Sequence, residues 1–387
     1  MAFPPQPATK PGKPHRERPS RGFWQRITDG LALNELWDQF RVEARTTYRL
    51  YSRDIDSARP EGGKKKGRVW WVIQFFWAVL DKLSPARRVL LLIALYFIIN
   101  RADVDWTTKS GTHLVTFDLR FWGGMLMFLL LILEIGDRVT MKRDLQIARE
   151  IQTWLLPSAP PEIPGVQIAF DTRPANTVAG DYYDVVARPV APAANLPTYL
   201  IVVADVVGKS IPAAMLMAAL QANMRTLSAI PSSLEALASG MNGYACSNSM
   251  GGLRFTTAFI AEYQPATRAL TYVNAGHNWP ILRRTGGQIE RLDRGGLPLG
   301  VQADSPYKSA STELKSGDWL VIFTDGVVEA VNDKGAEYGE ARLISVLNAG
   351  AEFSPVQMLA NILADLAAFV GNTPQHDDIT CLLIKAV

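Results

Sequence analysis

Residues 199–210 read YLIVVADVVGKS: an unbroken apolar run from Tyr199 to Ala204, then Asp205, with Gly208 close behind. The run is short and rich in β-branched residues and reads as a β-strand. The same design recurs three times. Asp325 follows the apolar run in WLVIFTDGVVEA (319–330), Asp181 stands between a glycine and a strand in AGDYYD (179–184), and Asp377 and Asp378 precede the last strand in HDDITCLLI (376–384). Strand ends hold side chains rigidly, and glycine lets a backbone approach a ligand. Asp and Gly at strand ends also make turns, but an Asp directly behind a strongly apolar strand is poorly placed for one. If these ends converge, their negative charges repel one another unless cations bind between them.

Outward from these segments, strands are expected at 166–170, 182–187, 199–206, 255–263, 270–274, 279–283, 288–292, 319–323 and 379–386, and helices at 211–228, 233–246 and 355–369. Many consecutive strands with helices grouped between them predict an α+β domain rather than alternating βαβ units. The stretch 165–387 has the length of one such domain.

Composition narrows the chemistry. The chain of 387 residues is 48% hydrophobic and 20% charged, which excludes a wholly disordered or fibrous protein. Two cysteines, Cys246 and Cys381, make neither a disulfide scaffold nor a CxxC metal site. Four scattered histidines, His15, His113, His277 and His376, argue against a histidine-rich centre. A metal here would be held mainly by oxygen, which favours Mg²⁺ or Mn²⁺. Two such ions about 4 Å apart could clamp a water and a phosphate for in-line displacement.

The N-terminal side differs in character. Residues 1–68 carry 15 Lys/Arg against 8 Asp/Glu, while the remainder is net acidic. Residues 1–20 lack an apolar period and read as a disordered tail, 31–51 as a surface or interfacial helix, and 61–68 as a flexible basic linker. Such a basic end suits nucleic acid or an anionic membrane; no nucleic-acid motif accompanies it, so nucleic acid is not an expected partner. Apolar runs at 69–80, 89–99 and 121–133 follow. Each is shorter than the roughly 20 residues of a spanning helix. They are nevertheless apolar on all faces and flanked by Trp, Arg and Lys, which favours membrane association over buried helices of a soluble domain. The region 69–136 is therefore expected to be membrane-associated. Its expected topology is a hairpin of spans near 87–104 and 117–136, with basic outer flanks on the cytoplasmic side and 69–80 either on the inner interface or a third span. Residues 137–164 read as a linker: a helix to Leu156, stopped by Pro157, Pro160, Pro161 and Pro164. Its seam of Leu145, Ala148, Ile151 and Leu155 could pair with a second copy and make a homodimer.

The ordered series AREIQTWLLP (148–157), AGDYYDVV (179–186), VADVVGKSIPAAMLM (203–217), FTTAFIAEY (255–263), YVNAGHNWPILRR (272–284), GLPLGV (296–301), LVIFTDGVVEA (320–330) and HDDITCLLI (376–384) resembles the SpoIIE-like/RsbU-like branch of the PPM metal-dependent protein serine/threonine phosphatases. The resemblance covers residues from about 145 to the end; the first 140 lie outside it. It implies a β-sandwich flanked by helices with two Mn²⁺ or Mg²⁺ ions at one edge. It further implies Asp181, Asp205, Asp325 and Asp377 as catalytic metal ligands, the Val206 carbonyl as another, and Asp378 as the rival of Asp377. Gly180 and Gly208 would hold the loops. Water activated between the ions would attack phosphorus without a covalent phosphoenzyme.

Two departures stand out. The family's GGD is AGD here, with Ala179, and its DVSGHG-type stretch is DVVGKS, which puts Lys209 and Ser210 beside a ligand. Lys209 could meet substrate phosphate or point to solvent. His277 could be a general acid or part of a structural turn, and His376 could tune Asp377 or accept a hydrogen bond. The resulting expectation is a membrane-tethered phosphatase with its catalytic domain in the cytoplasm. Its substrate would be a phosphoserine or phosphothreonine partner, such as an anti-anti-sigma (STAS-type) regulator. The other reading is a signalling adaptor that binds a phosphoprotein without turnover.

Overall fold

The computed structural model describes residues 80–100, 103–106, 115–189, 197–248 and 254–387, with Gln74, Phe76 and Trp77. The tail, the 31–51 helix, the basic linker and most of the 69–80 run expected from the sequence lie outside these residues. Two compact units divide the chain, 1–136 and 137–387.

In the first unit, helix α1 is Pro85–Ile99, β1 is Asp103–Trp106 and β2 is Val115–Asp118. Helix α2, Leu119–Leu155, begins here and continues into the second unit as one element of 37 residues. Ala94 of α1 is fully buried, and Arg87 reaches Glu134 of α2 at 3.4 Å. The connection between the two expected spans contains an antiparallel ladder, from Asp103 opposite Asp118 to Trp106 opposite Val115. Helix α1 ends at Ile99, short of the expected span end at 104. Its 15 residues rise about 22 Å, less than a bilayer core of about 30 Å. Among the described residues one helix, α2, is long and apolar enough to cross a membrane.

The second unit stacks two sheets. After β3 (Val166–Arg173), β4 (Asp181–Arg188) and β5 (Thr198–Val206) come α3 (Ile211–Ser228) and α4 (Leu234–Ser247). There follow β6 (Thr256–Gln264), β7 (Ala269–Ala275), β8 (Ile281–Arg283), β9 (Ile289–Arg291), β10 (Gly295–Gly296), β11 (Ala310–Glu313) and β12 (Trp319–Phe323). The one-turn helix α5 (Asp325–Val328), α6 (Glu340–Ala349), α7 (Pro355–Val370) and β13 (Ile379–Ala386) complete it. One sheet runs β10-β7-β6-β5-β4 with β11 also on β7; the other runs β3-β13-β12-β8-β9.

Alternation along each strand builds the layers. Ile201 and Val203 of β5 point between the sheets, where they join Phe259, Leu320, Ile322, Leu382 and Ile384. Leu200, Val202 and Ala204 point the other way, onto Met217, Leu220 and Met224 of α3 and Leu237 and Met241 of α4. On the second sheet Val321, Phe323 and Leu383 face Met358, Ile362 and Leu366 of α7. Both faces of the central strands are thus covered, which is why their sequences are apolar without interruption. The expected α+β class and helix-flanked sandwich agree with this architecture. The strands β10 and β11 and the helix α6 were not anticipated: Gly295–Gly296 and Ala310–Glu313 carry little apolar signal, and they pair only because β7 lies beside them.

Candidate metal centre

Antiparallel pairing puts Asp181, the first residue of β4, directly opposite Asp205 near the end of β5. The second sheet brings the other carboxylates. Its strand β12 ends at Phe323, and β13 begins at Ile379 two strand positions beyond the bonded pair Phe323 and Cys381. Asp325 is not the strand end the sequence suggested; it opens the helical turn α5. That turn sits hard against the 377–378 backbone, since a Cβ on Gly326 would lie 2.0 Å from the Asp378 carbonyl oxygen. No side chain fits there, and the glycine after Asp325 is what lets the two acidic segments meet.

Two buried carboxylates three positions apart on β4 show the electrostatic problem. Asp184 is fully buried and fully compensated. Arg225 Nε and Nη2 donate to it at 2.7 and 2.9 Å, Tyr182 Oη at 2.8 Å and the Val185 N–H at 2.9 Å. Asp181 is 1% exposed and has no cation of its own among the described residues. Thr324 Oγ1 donates to its Oδ2 at 2.9 Å, while its Oδ1 has no hydrogen-bond partner. Burial, and then the neighbouring charge of Asp205, holds the Asp181 carboxyl well above the usual carboxylate range. Burial pushes Asp205 up to about 7, with the charges of Asp325 and Asp377 adding to it. Asp325 is raised by burial and by Asp377, and Lys209 partly relieves it.

The two adjacent acids of the 376–384 segment divide their work. Asp378 braces loops: its Oδ1 accepts from the Ala175 N–H at 2.7 Å and its Oδ2 from the Gly180 N–H at 2.6 Å. Asp377 faces the cluster, pairing with Lys209 Nζ at 2.9 Å. Lys209 also donates to the His376 carbonyl. The Lys209 side chain is half exposed, and its ammonium rests on the Asp377 carboxylate at the mouth of the cluster. His376 contributes its backbone oxygen.

Among the described residues, no three His, Cys, Asp or Glu side chains stand close enough to chelate one ion as they are placed. The donor chemistry nevertheless fits hard divalent cations: oxygen atoms only, one of them buried and unpartnered, in a cluster whose charges raise one another's proton affinity. Gly180 packs against the Val206 carbonyl, to which a Cβ would come within 3.1 Å, so Asp181, Asp205 and that carbonyl share one corner.

The loop after Asp205 keeps the shape that glycine would favour even though the second glycine is absent. Gly208 has φ 112°, and Ser210 has φ 66° and ψ −148° with no side-chain cap on α3. That region is costly for any residue with a Cβ. Thr324, which sequence reasoning passed over, is fully buried and joins the strands: it donates to Asp181 and its Oγ1 accepts from the Thr380 N–H at 3.0 Å. Only its position before Asp325 in FTDG hinted at this.

His277 is 3% exposed, with Nδ1 hydrogen-bonded to Thr257 Oγ1 at 3.0 Å and its backbone N–H donating to Asn274 Oδ1 at 2.7 Å. Its Nε2 makes no full hydrogen bond, although the Phe323 carbonyl lies near the ring. Burial lowers the imidazole to about 4, so the ring is held neutral at pH 7, and its bonds to Thr257 and Asn274 tie it into the Asn-Ala-Gly-His turn.

Two predictions follow from this geometry. Ser210→Gly removes the strained Cβ without removing a cap, and is expected to stabilise the domain by about 1 kcal/mol, read from thermal or urea unfolding. His277 has the lower pKa in the folded state, so between about 6.5 and about 4 the unfolded chain binds the extra proton and stability falls as pH falls. Comparing urea unfolding of wild type and His277→Gln across that window should show a flatter pH dependence in the variant. Over the whole window the difference is about 3 kcal/mol, at 1.36 kcal/mol per pH unit. Equal slopes would remove His277 as the cause.

Residues 197–387 match the family model described as stage II sporulation protein E (SpoIIE). The chain is 27% identical over 251 residues to phosphoserine phosphatase RsbU of Bacillus subtilis, covering 65% of this chain and 72% of that protein. It is 26% identical over 279 residues to protein IcfG of Synechocystis, covering 65% of this chain but only 42% of IcfG. In fold it is similar to the SiaA-PP2C domain of Pseudomonas aeruginosa, with a TM-score of 0.56, 22% identity, and coverage of 65% of this chain and 99% of that one. Sandwich, acidic edge and relatives agree: the C-terminal part of this chain belongs to the SpoIIE/RsbU-like branch of the PPM protein serine/threonine phosphatases.

Proposed function

We propose that the chain is a membrane-tethered phosphatase that hydrolyses phosphoserine or phosphothreonine on a regulatory protein partner. The observation that carries this reading is the convergence of Asp181, Asp205, Asp325 and Asp377 at one edge of the sandwich, with an Asp181 oxygen buried and unpartnered. These four carboxylates and the Val206 carbonyl would hold two divalent cations, Mn²⁺ or Mg²⁺. Asp377 is preferred to Asp378 because the charge of Asp377 bears more strongly on Asp205 and Asp325, whereas Asp378 is engaged in bracing the Ala175 and Gly180 N–H groups. Bound there, such ions would supply the positive charge that makes a water nucleophilic and neutralises phosphoryl oxygens. The protein's own part is to fix the carboxylates: Thr324 orients Asp181, Gly326 admits Asp325, and Asp378 ties the Ala175 and Gly180 loop to β13. No nucleophilic side chain is needed at phosphorus.

The relative RsbU is a phosphoserine phosphatase, which supports the substrate chemistry, and the family resemblance favours a STAS-type partner. The adaptor reading is disfavoured because every carboxylate of the pattern is present. Membrane tethering is supported by α2, whose first half exposes Phe121, Trp122, Met125, Phe128 and Leu131. With the basic outer flanks on the inner side, the catalytic domain would be cytoplasmic. The proposed organisation remains a basic region at 1–68, membrane helices at 69–136, a linker at 137–164 and the phosphatase domain at 165–387. A homodimer through 137–156 remains part of the proposal, but its surface is revised. Leu155 is half-buried and Gln152 is buried against the domain, while Ile147, Ile151 and Trp154 are exposed. The outward row Ile147–Ile151–Trp154 is therefore the better candidate seam.

Asp205→Asn and Asp325→Asn should each lower phosphate release from a phosphoserine protein by orders of magnitude, and EDTA should abolish it until Mn²⁺ is restored. Full turnover in either variant, or in EDTA, would sink the assignment. Topology reporters fused at residue 110 and at the C-terminus should report opposite sides of the membrane; reporters on one side, or a full-length chain that stays in the soluble fraction, would remove the tether.

A further inference from the structure

Gln152 is a polar residue buried to 7% exposure near the end of a helix whose other residues beyond Leu130 are exposed or half-buried, and its amide both donates and accepts. Nε2 donates to the Ala179 carbonyl at 2.7 Å, and Oε1 accepts from the Ala179 N–H at 2.9 Å. One side chain thus satisfies both polar groups of a residue that is itself 1% exposed, as a neighbouring strand would. Ala179 is the residue before Gly180, whose N–H is held by Asp378, and two before Asp181. The helix end is fastened a second time where Gln221 of α3 donates to the Leu155 carbonyl. Helix α3 is the helix that Ser210 opens and Lys209 precedes.

From this clasp we infer that Gln152 is a positioning residue for the metal site, and that seating of the last turns of α2 and cation binding are coupled through the Ala179 peptide. The inference rests on the metal-site reading above. Both bonds come from one planar amide, so they are made or lost together. A one-residue rotation of the helix, about 100°, carries the amide away from Ala179 and leaves two buried backbone groups unpaired, each costly. The loop would then leave the geometry that sets Asp181 opposite Asp205. By linkage, whatever seats the helix raises cation affinity, and cations in turn favour the seated helix.

The test uses the full chain with Mn²⁺ alone as the probe. Gln152→Met keeps the length and volume of the side chain and removes both hydrogen bonds; Gln152→Glu keeps an acceptor for the Ala179 N–H but sets a carboxylate against the Ala179 carbonyl. Calorimetric titration should give a Mn²⁺ Kd raised about 10- to 100-fold in Gln152→Met, the range found for groups that orient metal ligands, with a smaller rise in Gln152→Glu. Turnover at saturating Mn²⁺ should stay within severalfold of wild type. An unchanged Kd in Gln152→Met, even with a lower melting temperature, would show a merely structural amide and overturn the inference. If Gln152→Met does not fold, an unchanged Kd in folded Gln152→Glu overturns it equally. Wild-type chain that takes up no Mn²⁺ overturns the metal-site reading and this inference together, whereas uptake by wild type with unaltered variants overturns this inference alone.

Discussion

A carboxylate removed from water needs a positive partner, and the second unit is arranged around one place where the protein does not provide a full one. On the same strand, Asp184 meets the Arg225 guanidinium and is settled. Asp181 meets Asp205 instead, with Asp325, Asp377 and Asp378 beyond. Every feature near the edge makes sense as a means of holding like charges together. The strands are covered on both faces, so their ends cannot splay, and Gly326, having no Cβ, lets α5 sit directly on the 377–378 segment. Lys209 offers a single ammonium at the mouth, on the exposed side, to Asp377. The cost of such a cluster is the reason divalent cations fit it, since they supply at one stroke the charge the fold withholds.

Stability and function draw on different parts of the same strands. The apolar stretches of β5, β12 and β13 bury their side chains in the three cores and carry the hydrophobic stabilisation. The residues just past them are strained or polar: Ser210 at positive φ, Thr324 buried between two backbones, Asp181 short of a partner. Strain gathered at the end of a rigid element is tolerated because the element itself is over-determined. The linker helix joins this economy through Gln152, whose amide replaces a missing strand neighbour for Ala179.

Much of this was legible in the sequence because hydrophobic burial writes itself in local patterns. A short, β-branched unbroken run such as YLIVVA reads as a strand covered on both sides, and its terminal Asp is conspicuous against that background. The proline cluster after Leu156 ended the linker helix, and the acidic set with few histidines and no cysteine motif restricted the metal chemistry. These are properties of short windows, in which side-chain type and spacing act before the chain folds.

What only the tertiary structure decided are the matters that depend on which windows meet. The sequence set Asp377 and Asp378 side by side with no means of separating them; the fold gave Asp378 to the Ala175 and Gly180 N–H groups and turned Asp377 toward Lys209. It made His277 a neutral buried ring, because depth is not written in a single Asn-Ala-Gly-His turn. It divided the linker seam, half-burying Leu145, Ala148 and Leu155 and leaving Ile151 outside, because a helix shows the sequence all its faces and only packing selects one. Composition and periodicity determined which residues could form strands, helices and an oxygen-rich site. The pairing of β4 with β5 and the closure of α5 onto the 377–378 segment determined which of those residues face one another, since long-range contact is set by the register and packing of distant segments rather than by local preference.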